Sequence, residues 1–516
     1  MRERIERRAF GLVLGAGVSK PLNFPNWDEL VERISTHGEV DAAHLMASAT
    51  SASATEKTQM LLQHYRSKRL DELGDGATAR NLRMVDGEWQ QIVKDELYRD
   101  TTKDINAHPY LLSFAPTILK SPITITYNFD DVLERILAKS SVSESEEYGR
   151  PFETIWDAAL QSRRNSPMVY HPNGYLPSNL LEQPSEALVF SQDSFADQLI
   201  ESMAGHHASL LHHFGHTTCL LLGLSLSDET LRHFLRQNVR IHPGHCHYFI
   251  RWVRPDEQRD EKSEQSMAMA NFEVSNLVTL FLTEEEIEAL GCLLTVSEEE
   301  LKDAAEEEGV PLKYVYYITG AIGAGKTTVL NNLRSLLAYE EWTEPRHPGL
   351  AKSWKSLSEE ERLDIDEWIA RQFVKKDSAL RRASSGLHVV DRPPLDPLSF
   401  TAQSDVRSKA LSMLNLFSPG ESNRTIQAGQ VIVLRGDPAE MEARVVGRHK
   451  KSDRAVISEL QDRIGEIYVS NKVVETAGRS AHEVVREVAK LIHLEQYSDY
   501  DIHKRLESIS ENGMQQ

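Results

Sequence analysis

The chain of 516 residues is poor in cysteine, has no long apolar run and carries no excess of positive charge. Its three cysteines, Cys219, Cys246 and Cys292, form no CxxC pair, which disfavours a disulfide framework and a four-cysteine zinc site. No stretch approaches the ~20 apolar residues of a membrane-spanning helix. A net charge of −20 disfavours binding to nucleic acid or to an anionic membrane, since either needs a basic surface. We therefore expect a cytoplasmic protein without zinc.

The length of the chain points to more than one domain, because a single core stops growing at about 250–300 residues. A run of acidic residues near the middle of the chain is typical of a solvated linker helix. The predicted parts are a first domain (1–285) with a polar helical insertion (about 39–110), an acidic helical linker (286–311), a second domain (312–496) and a C-terminal tail (497–516).

Short apolar runs typical of buried strands alternate with helical patterns in both halves of the chain. In the first half these runs cover residues 10–14, 123–126, 168–171, 187–190, 218–222 and 247–251, and in the second half 313–319, 388–391, 431–435 and 472–475. Strands that alternate with helices form parallel sheets with helical crossovers. The sequence therefore predicts two α/β domains.

A glycine-rich loop, GAGVS at residues 15–19, follows the first predicted strand. Backbone amides at such a loop can hold a diphosphate, although a strand followed by GxG is also common as a plain turn. Polar residues follow three other predicted strands, namely Asn128 with Asp130, then His171, and then Gly223 with Ser225. Open α/β sheets bind ligands beyond the carboxyl ends of their strands, so we expect these residues to lie together.

These segments resemble, in order, the motifs of the sirtuin-like (SIR2) superfamily. GAGVS resembles its GAG-x-S phosphate loop, TYNFD (126–130) its T-x-N-x-D motif, HPNG (171–174) its catalytic His-Gly, and GLS (223–225) its ribose-binding G-x-S. Residues 8–285 are most similar to the SIR2-like domains of bacterial anti-phage defence proteins, to which PNWDEL (25–30) and SLSDETLR (225–232) are also similar. The resemblance implies a Rossmann-like domain that hydrolyses NAD⁺ to nicotinamide and ADP-ribose in abortive infection.

The resemblance also assigns roles to single residues. It implies that Asn128 orients water or a ribose hydroxyl, that Asp130 contacts the nicotinamide carboxamide, and that His171 is the general base. The implied NAD⁺-binding residues are Gly15, Ala16, Gly17, Ser19, Thr126, Asn173, Gly223 and Ser225. Two departures from the family matter. The missing cysteines favour NAD⁺ cleavage over protein deacylation, and Asn173 occupies the place directly before the glycine where the family often has histidine. The alternative for His171 is that it only caps a strand.

A second glycine-rich loop, GAIGAGKT at residues 320–327, satisfies the P-loop pattern between a predicted strand and a predicted helix. We expect Lys326 to meet the β- and γ-phosphates of a nucleoside triphosphate and Thr327 to ligate Mg²⁺. Asp391 is the candidate Walker-B carboxylate. The remaining predicted nucleotide-binding residues are Gly320, Gly323, Gly325, Thr328 and Arg392.

Residues 312–496 resemble the nucleoside and nucleoside-monophosphate kinase branch of P-loop proteins. The resemblance rests on Asp391 and Arg392 after a strand, the strand and loop at 431–438, the lid-like basic segment 444–454, and residues 474–478. The alternative for the basic segment is a solvated helix face. No catalytic base is evident, and Asp364, Asp366 and Glu367 are candidates by position only. The domain is expected either to bind a nucleotide without turning it over or to phosphorylate one.

A cluster of histidines comprises His206, His207, His212, His213 and His216. His212 and His216 are four residues apart, the spacing of a metal-binding pair on a helix, but no acidic partner follows, so a polar helix surface is favoured. We expect an NAD⁺-consuming effector gated by a nucleotide, with a phage-derived trigger and a homo-oligomeric state. The alternative is a kinase or ATPase that the SIR2-like half regulates by binding NAD⁺ or ADP-ribose.

Overall fold

The computed structural model describes the chain except residues 75–77, 142–150, 157–165, 204–207, 227, 353–355, 418–425, 448–452, 470–471 and 514–516. Two compact units are present. Met1–Ile241 and Cys246–Val296 form the first unit, and His242–His245 and Ser297–Gln516 form the second. Across the described part of the chain, no helix is both long and apolar enough to span a membrane.

The first unit is built on a seven-stranded parallel sheet. Its strands are β1 (Phe10–Leu14), β2 (Ile123–Thr126), β3 (Glu153–Ile155), β4 (Met168–Tyr170), β5 (Thr218–Leu222), β6 (His247–Trp252) and β7 (Leu277–Leu282). Their order in the sheet is β3-β4-β2-β1-β5-β6-β7, and every neighbouring pair is parallel. The predicted α/β class is therefore confirmed.

Helices cover the sheet of the first unit. They are α1 (Arg2–Glu6), α2 (Trp27–Ser35), α3 (Ala43–Ser48), α4 (Ala54–Leu73), α5 (Ala79–Tyr98), α6 (Leu111–Lys120), α7 (Val132–Ser141), α8 (Gln192–Met203), α9 (Ala208–His216), α10 (Glu229–Ile241), α11 (Glu261–Ser275) and α12 (Glu284–Leu293). Helix α2 begins where Asn26 and Glu29 form a reciprocal capping box. Strand β1 is buried along its whole length, with Leu12 and Leu14 in one core and Val13 in another. Such burial on both faces is typical of a central parallel strand.

The strand predicted at residues 187–190 is wrong. This segment belongs to no strand of the sheet, and its Val189 N donates to Asn173 O, in the turn after β4, over 2.8 Å. Phe190 is buried against Trp27, with ring centroids 5.5 Å apart, and against Phe129 at 5.4 Å. The apolar pattern that suggested a strand therefore reflects core packing of a loop.

The second unit contains a five-stranded parallel sheet. Its strands are β8 (Lys313–Thr319), β9 (Leu337–Tyr339), β10 (Gly386–Asp391), β11 (Gln430–Arg435) and β12 (Lys472–Glu475), in the order β12-β11-β8-β10-β9. Its helices are α13 (Glu298–Glu308), α14 (Lys326–Asn332), α15 (Glu359–Arg382), α16 (Asp396–Ser399), α17 (Val406–Phe417), α18 (Pro438–Val446), α19 (Arg454–Ile467), α20 (Ala481–Leu494) and α21 (Ile502–Asn512). This sheet confirms the second predicted α/β domain.

The predicted linker and tail both contain helices. In α12, Ile287 is buried in the core of the first unit, whereas α13 has no buried residue. Three side chains of α21 are buried within the second unit, namely Ile502, Leu506 and Ile509. The domain boundaries drawn from the sequence stay predictions.

Candidate functional site

The candidate site of the first unit lies at the carboxyl edge of the sheet. Strand β1 is registered with β2, where Leu14 faces Thr126, and with β5, where Leu14 faces Leu222. The chain order of the strands reverses at β1, so the loops that follow β1 and β5 flank a topological switch point. Ligands of open α/β sheets bind at such a point.

The loop after β1 packs tightly on the loop after β5. Gly15 N donates to Leu222 O over 3.0 Å, and Gly17 N donates to Gly223 O over 2.9 Å. A Cβ atom on Gly15 would approach Gly223 O to 2.6 Å, and one on Gly17 would approach Gly223 Cα to 2.9 Å. Both glycines thus permit close backbone approach, and both amides are engaged within the protein. Diphosphate binding by Gly15, Ala16 and Gly17 stays a prediction.

Replacing Gly223 by alanine is expected to destabilise the first unit. Gly223 has φ +69°, and a Cβ atom there would meet Val18 N at 2.6 Å. A side chain in left-handed backbone costs about 1–2 kcal/mol before any clash is added. We expect Gly223→Ala to lower the free energy of urea unfolding by at least ~2 kcal/mol and to weaken NAD⁺ binding.

Gly87→Ala is the matched control, since Gly87 lies within α5 with open space around it. It is expected to be neutral or to stabilise by roughly 0.5–1 kcal/mol. Equal stability of the Gly223→Ala variant and the wild type would contradict the packing described for these loops.

Three buried polar side chains form a hydrogen-bonded chain beyond β1 and β2. Asn128 Nδ2 donates to Ser19 Oγ over 3.0 Å, and the Ser19 hydroxyl is hydrogen-bonded to the Asp130 carboxylate. Thr126 supports this turn, because its Oγ1 accepts from Asn128 N at 3.3 Å. The structure thus brings together Ser19, Thr126, Asn128 and Asp130. Asn128 Oδ1 is buried and has no hydrogen-bond partner among the described residues, so it is available as an acceptor.

Burial is the main influence on Asp130. It raises the pKa of the carboxyl to about 6, although hydrogen bonds from Val132 N and Ser19 act in the opposite direction. The folded state therefore binds the Asp130 proton more tightly than the unfolded state does. The stability that this contributes is present below the unfolded pKa of 3.8 and is lost as the pH rises through about 6.

Asp130→Asn is therefore expected to stabilise the protein most at alkaline pH, because it removes a buried charge and keeps an acceptor. The gain in unfolding free energy should be on the order of 3 kcal/mol at pH 8 and about half of that at pH 5. Urea unfolding of both proteins at the two pH values measures it. A gain that is larger at pH 5 than at pH 8 would contradict the raised pKa of Asp130.

His171 is fully buried, and both of its ring nitrogens are hydrogen-bonded. Nδ1 lies 2.8 Å from Asn128 O, and Nε2 lies 2.8 Å from Glu134 Oε1. Burial lowers the pKa of His171, but the Glu134 carboxylate and the hydrogen bonds outweigh it and raise the pKa overall. In this conformation neither nitrogen can take a proton from a substrate, so the general-base role stays a prediction.

Asn173 and Ser225 lie on separate loops of the same edge. Asn173 is buried, with its Nδ2 3.5 Å from Tyr127 O and its Oδ1 3.4 Å from Gln198 Nε2. Ser225 is exposed on the loop after β5. Their contacts with NAD⁺ stay predictions.

Sequence reasoning missed three residues that support this site. Glu134 contacts His171 from the first turn of α7. Gln198 of α8 donates to Pro172 O over 2.8 Å, and Tyr98 OH of α5 accepts from Asp131 N over 3.1 Å. Only Glu134 lies close in sequence to a recognised motif, where a carboxylate among apolar residues (VLERIL, 132–137) was the available signal. Tyr98 and Gln198 are joined to the site only by tertiary structure.

The glycine-rich loop at residues 320–327 connects a strand to a helix, as the predicted P-loop requires. It joins β8 to α14, and Gly320, Gly323 and Gly325 have φ of +148°, +89° and +100°. Lys326 is buried, and its Nζ donates to Gly320 O over 2.6 Å and to Ala321 O over 3.2 Å. Burial lowers the pKa of Lys326 to about 8. Thr327 is exposed and Thr328 half-buried at the start of α14.

Arg392 is held by two carboxylates beside this loop. Its Nε donates to Glu341 Oε1 over 2.6 Å, and its Nη1 donates to Asp396 Oδ2 over 3.1 Å. Burial opposes the charge of Arg392, but Asp396 and Glu341 outweigh it and raise the pKa. Arg392 has φ +63°, and Lys376 Nζ fixes this turn by donating to Asp391 O over 2.6 Å. Glu341 and Lys376 were not recognised from the sequence.

Asp391 ends β10 with a buried carboxylate, and burial raises its pKa. Its Oδ1 has no hydrogen-bond partner among the described residues. The charges of Lys326 and Arg392 lie close to this carboxylate, and a carboxylate oxygen is a ligand type that Mg²⁺ prefers. Across the described part of the chain, the second unit included, no group of three or more His, Cys, Asp or Glu side chains could hold a metal ion.

The other acidic candidates on α15 are engaged in surface ion pairs. Asp364 pairs with His347 at 3.2 Å, Asp366 with Lys409 at 3.0 Å and Glu367 with Arg371 at 3.6 Å. The centre of the predicted lid, residues 448–452, lies outside the described residues. At its ends, Arg444 contacts Glu440 and Arg454 contacts Glu442.

The histidine cluster shows no sign of a metal site in its described part. His212 and His216 stack with ring centroids 4.1 Å apart on α9, while His213 is buried and burial lowers its pKa to about 4. His206 and His207 lie outside the described residues.

Comparison with known proteins gives a partial family match and two similar solved structures. A SIR2-like domain model matches residues 122–274. No curated protein matches the chain. Two solved structures of deoxyadenosine kinase from M. mycoides are similar to about a third of it. The one with products dCMP and a flexible dCDP is 15% identical, with a TM-score of 0.28, covering 34% of this chain and 96% of that chain. The one with bound dATP has the same identity and coverage and a TM-score of 0.27.

Proposed function

We propose that the first unit hydrolyses NAD⁺ to nicotinamide and ADP-ribose, and that the protein is an anti-phage abortive-infection effector. The match to a SIR2-like domain supports a sirtuin-type, NAD-related function. The observation that carries the finer proposal is the buried chain of Asn128, Ser19 and Asp130, which leaves Asn128 Oδ1 as an acceptor without a partner at the carboxyl edge.

The proposed chemistry needs a held substrate and a placed nucleophile. The bond between the nicotinamide nitrogen and ribose C1′ breaks with its electron pair on nicotinamide, water oxygen bonds to C1′, and one proton leaves the water. Asn128 Oδ1 would accept a hydrogen bond from that water or from a ribose hydroxyl. Asp130 would bind the carboxamide. Positioning of this kind lowers the barrier by fixing the reacting atoms in advance.

The second unit is proposed to bind a nucleoside triphosphate with Mg²⁺ and to gate the first. Lys326 would contact the phosphates, and Thr327 and Asp391 would hold Mg²⁺, which neutralises phosphate charge when bound. NAD⁺ loss is lethal, so such an effector needs an inactive state that a nucleotide or a phage-derived trigger can bias. Assembly into a homo-oligomer is part of the same proposal.

Phosphoryl transfer by the second unit is the second candidate function. The observation that favours it is the pairing of Glu341 with Arg392 beside the glycine-rich loop, which puts a carboxylate close to the groups proposed to bind phosphate. In that case NAD⁺ or ADP-ribose bound by the first unit would act as the regulator.

Incubation of the purified protein with NAD⁺, with and without ATP and Mg²⁺, tests both candidates. Chromatography of the products should show nicotinamide and ADP-ribose in equal amounts. Intact NAD⁺ in every condition would overturn the leading proposal. Formation of ADP in the presence of a nucleoside, with NAD⁺ intact, would support the second candidate.

A further inference from the structure

The surroundings of His171 fix where its protons lie. Nδ1 lies 2.8 Å from the main-chain oxygen of Asn128. A carbonyl oxygen can only accept a hydrogen bond, so Nδ1 carries a hydrogen. Nε2 lies 2.8 Å from Glu134 Oε1. Nε2 therefore either donates to a Glu134 carboxylate or accepts from a protonated Glu134.

In both cases one proton lies between His171 Nε2 and Glu134 Oε1, so the two side chains together carry no net charge. This matters because both side chains are buried, Glu134 at 2% and His171 at 0% exposure. An unpaired charge at such depth costs several kcal/mol. Glu134 Oε2 has no hydrogen-bond partner among the described residues, so the bond to His171 is the main contact that compensates its burial.

The neighbouring groups also restrain this pair. Thr154 Oγ1 lies 3.4 Å from Glu134 Oε1, and the Tyr175 ring lies 4.6 Å from the His171 ring. Asp130 and Asp131 are the nearby acidic groups from the β2–α7 turn, and Glu182 accepts a hydrogen bond from Tyr175 OH over 2.8 Å. Burial is the main cause that raises the pKa of the Tyr175 hydroxyl, which stays a donor to Glu182.

We propose that Glu134 is a positioning residue, which holds His171 as a main-chain donor so that Asn128 presents its free Oδ1 to the substrate. His171 then acts on catalysis through the Asn128 backbone and is not itself the group that removes a proton. The inference deepens the proposed NAD⁺ hydrolysis and rests on it for the activity readout.

The amide variant Glu134→Gln separates positioning from proton transfer. Its side-chain NH₂ can donate to Nε2 of a neutral His171 whose Nδ1 hydrogen still bonds Asn128 O, so the geometry is kept. We expect kcat within about 10-fold of the wild type. If His171 were a general base oriented by a carboxylate, the same change would fix the wrong tautomer and reduce kcat by about 10⁴-fold.

Glu134→Ala removes the contact altogether. It should lower kcat by roughly 100- to 1,000-fold and leave KM for NAD⁺ within about 3-fold, because the loop that binds NAD⁺ is not changed. Glu153→Ala, at an exposed position of β3, is the control and should match the wild type. A loss of activity in Glu134→Gln as large as in Glu134→Ala would overturn the inference, and so would an active Glu134→Ala variant.

A spectroscopic readout does not depend on activity. In ¹⁵N-histidine-labelled protein, the His171 signal should show a protonated Nδ1 at every pH at which the protein is folded, and Glu134→Ala should lower its pKa. A neutral His171 with an unprotonated Nδ1 in the wild type would refute the positioning role. The nitrogen spectra measure the protonation of His171 directly, so they test the positioning role even if the protein does not cleave NAD⁺.

Discussion

Replacing Asn128 by alanine is expected to reduce nicotinamide release by about 100- to 1,000-fold, with NAD⁺ still bound. Asn128 contributes the buried acceptor Oδ1, and its Nδ2 connects to Ser19 and through it to Asp130. Removing the side chain leaves the nucleophile without orientation and breaks this chain. Nicotinamide release measures the rate, and calorimetric titration with NAD⁺ measures binding.

Asn106→Ala is the matched control, because Asn106 is exposed in the same unit and bonds only locally to Asp104. It should retain full activity. In bacteria challenged with phage, Asn128→Ala should lose protection while Asn106→Ala keeps it. Undiminished NAD⁺ cleavage by Asn128→Ala would refute the proposed site. Protection retained without cleavage would refute the effector role alone.

Replacing Lys326 by alanine is expected to weaken binding of ATP with Mg²⁺ by at least ~100-fold. Each charge-assisted hydrogen bond to a phosphate contributes about 1.5–3 kcal/mol, and a P-loop lysine makes more than one of them. The buried ammonium now donates to Gly320 O and Ala321 O, so it is already directed to the loop. Calorimetric titration with ATP and Mg²⁺ measures the loss.

The same variant discriminates between the two candidate functions. If the second unit is a gate, Lys326→Ala should still cleave NAD⁺ but no longer respond to nucleotide. If the second unit is the working enzyme, all phosphoryl transfer should cease. Lys302→Ala, with a largely exposed side chain on α13, is the control and should bind ATP normally. Wild-type affinity for ATP in Lys326→Ala would refute nucleotide binding at this loop.

The fold could be predicted where local pattern and tertiary role agree. The run at residues 10–14 is apolar because β1 is buried on both faces, and β2, β5, β8 and β12 have the bounds that the sequence predicts. Strands β3, β7 and β9 were not predicted, and of these β3 and β9 have only three residues, none of them buried. The apolar run at residues 187–190 was wrongly predicted as a strand, because it belongs to a loop whose Phe190 packs on Trp27.

The sequence indicated which residues lie together at the carboxyl edge of the sheet but not their contacts, and their roles stay predictions. Asn128, Asp130 and Ser19 are joined as their motifs suggest. The engagement of the Gly15 and Gly17 amides by the β5 loop depends on tertiary register, which no local pattern encodes. The apolar surroundings of Glu134 in the sequence indicated a buried carboxylate, but its pairing with His171, 37 positions away, depends on tertiary structure.

The central position of β1 in the sheet has a consequence for folding during translation. This strand is made before its partners, because β2 and β5 follow it by roughly 110 and 210 residues. At about 5–20 residues per second, translation leaves β1 without its second neighbour for roughly 10–40 s. During that time a fully apolar strand is available to wrong partners, so the nascent chain should depend on chaperones until residue 222 has emerged.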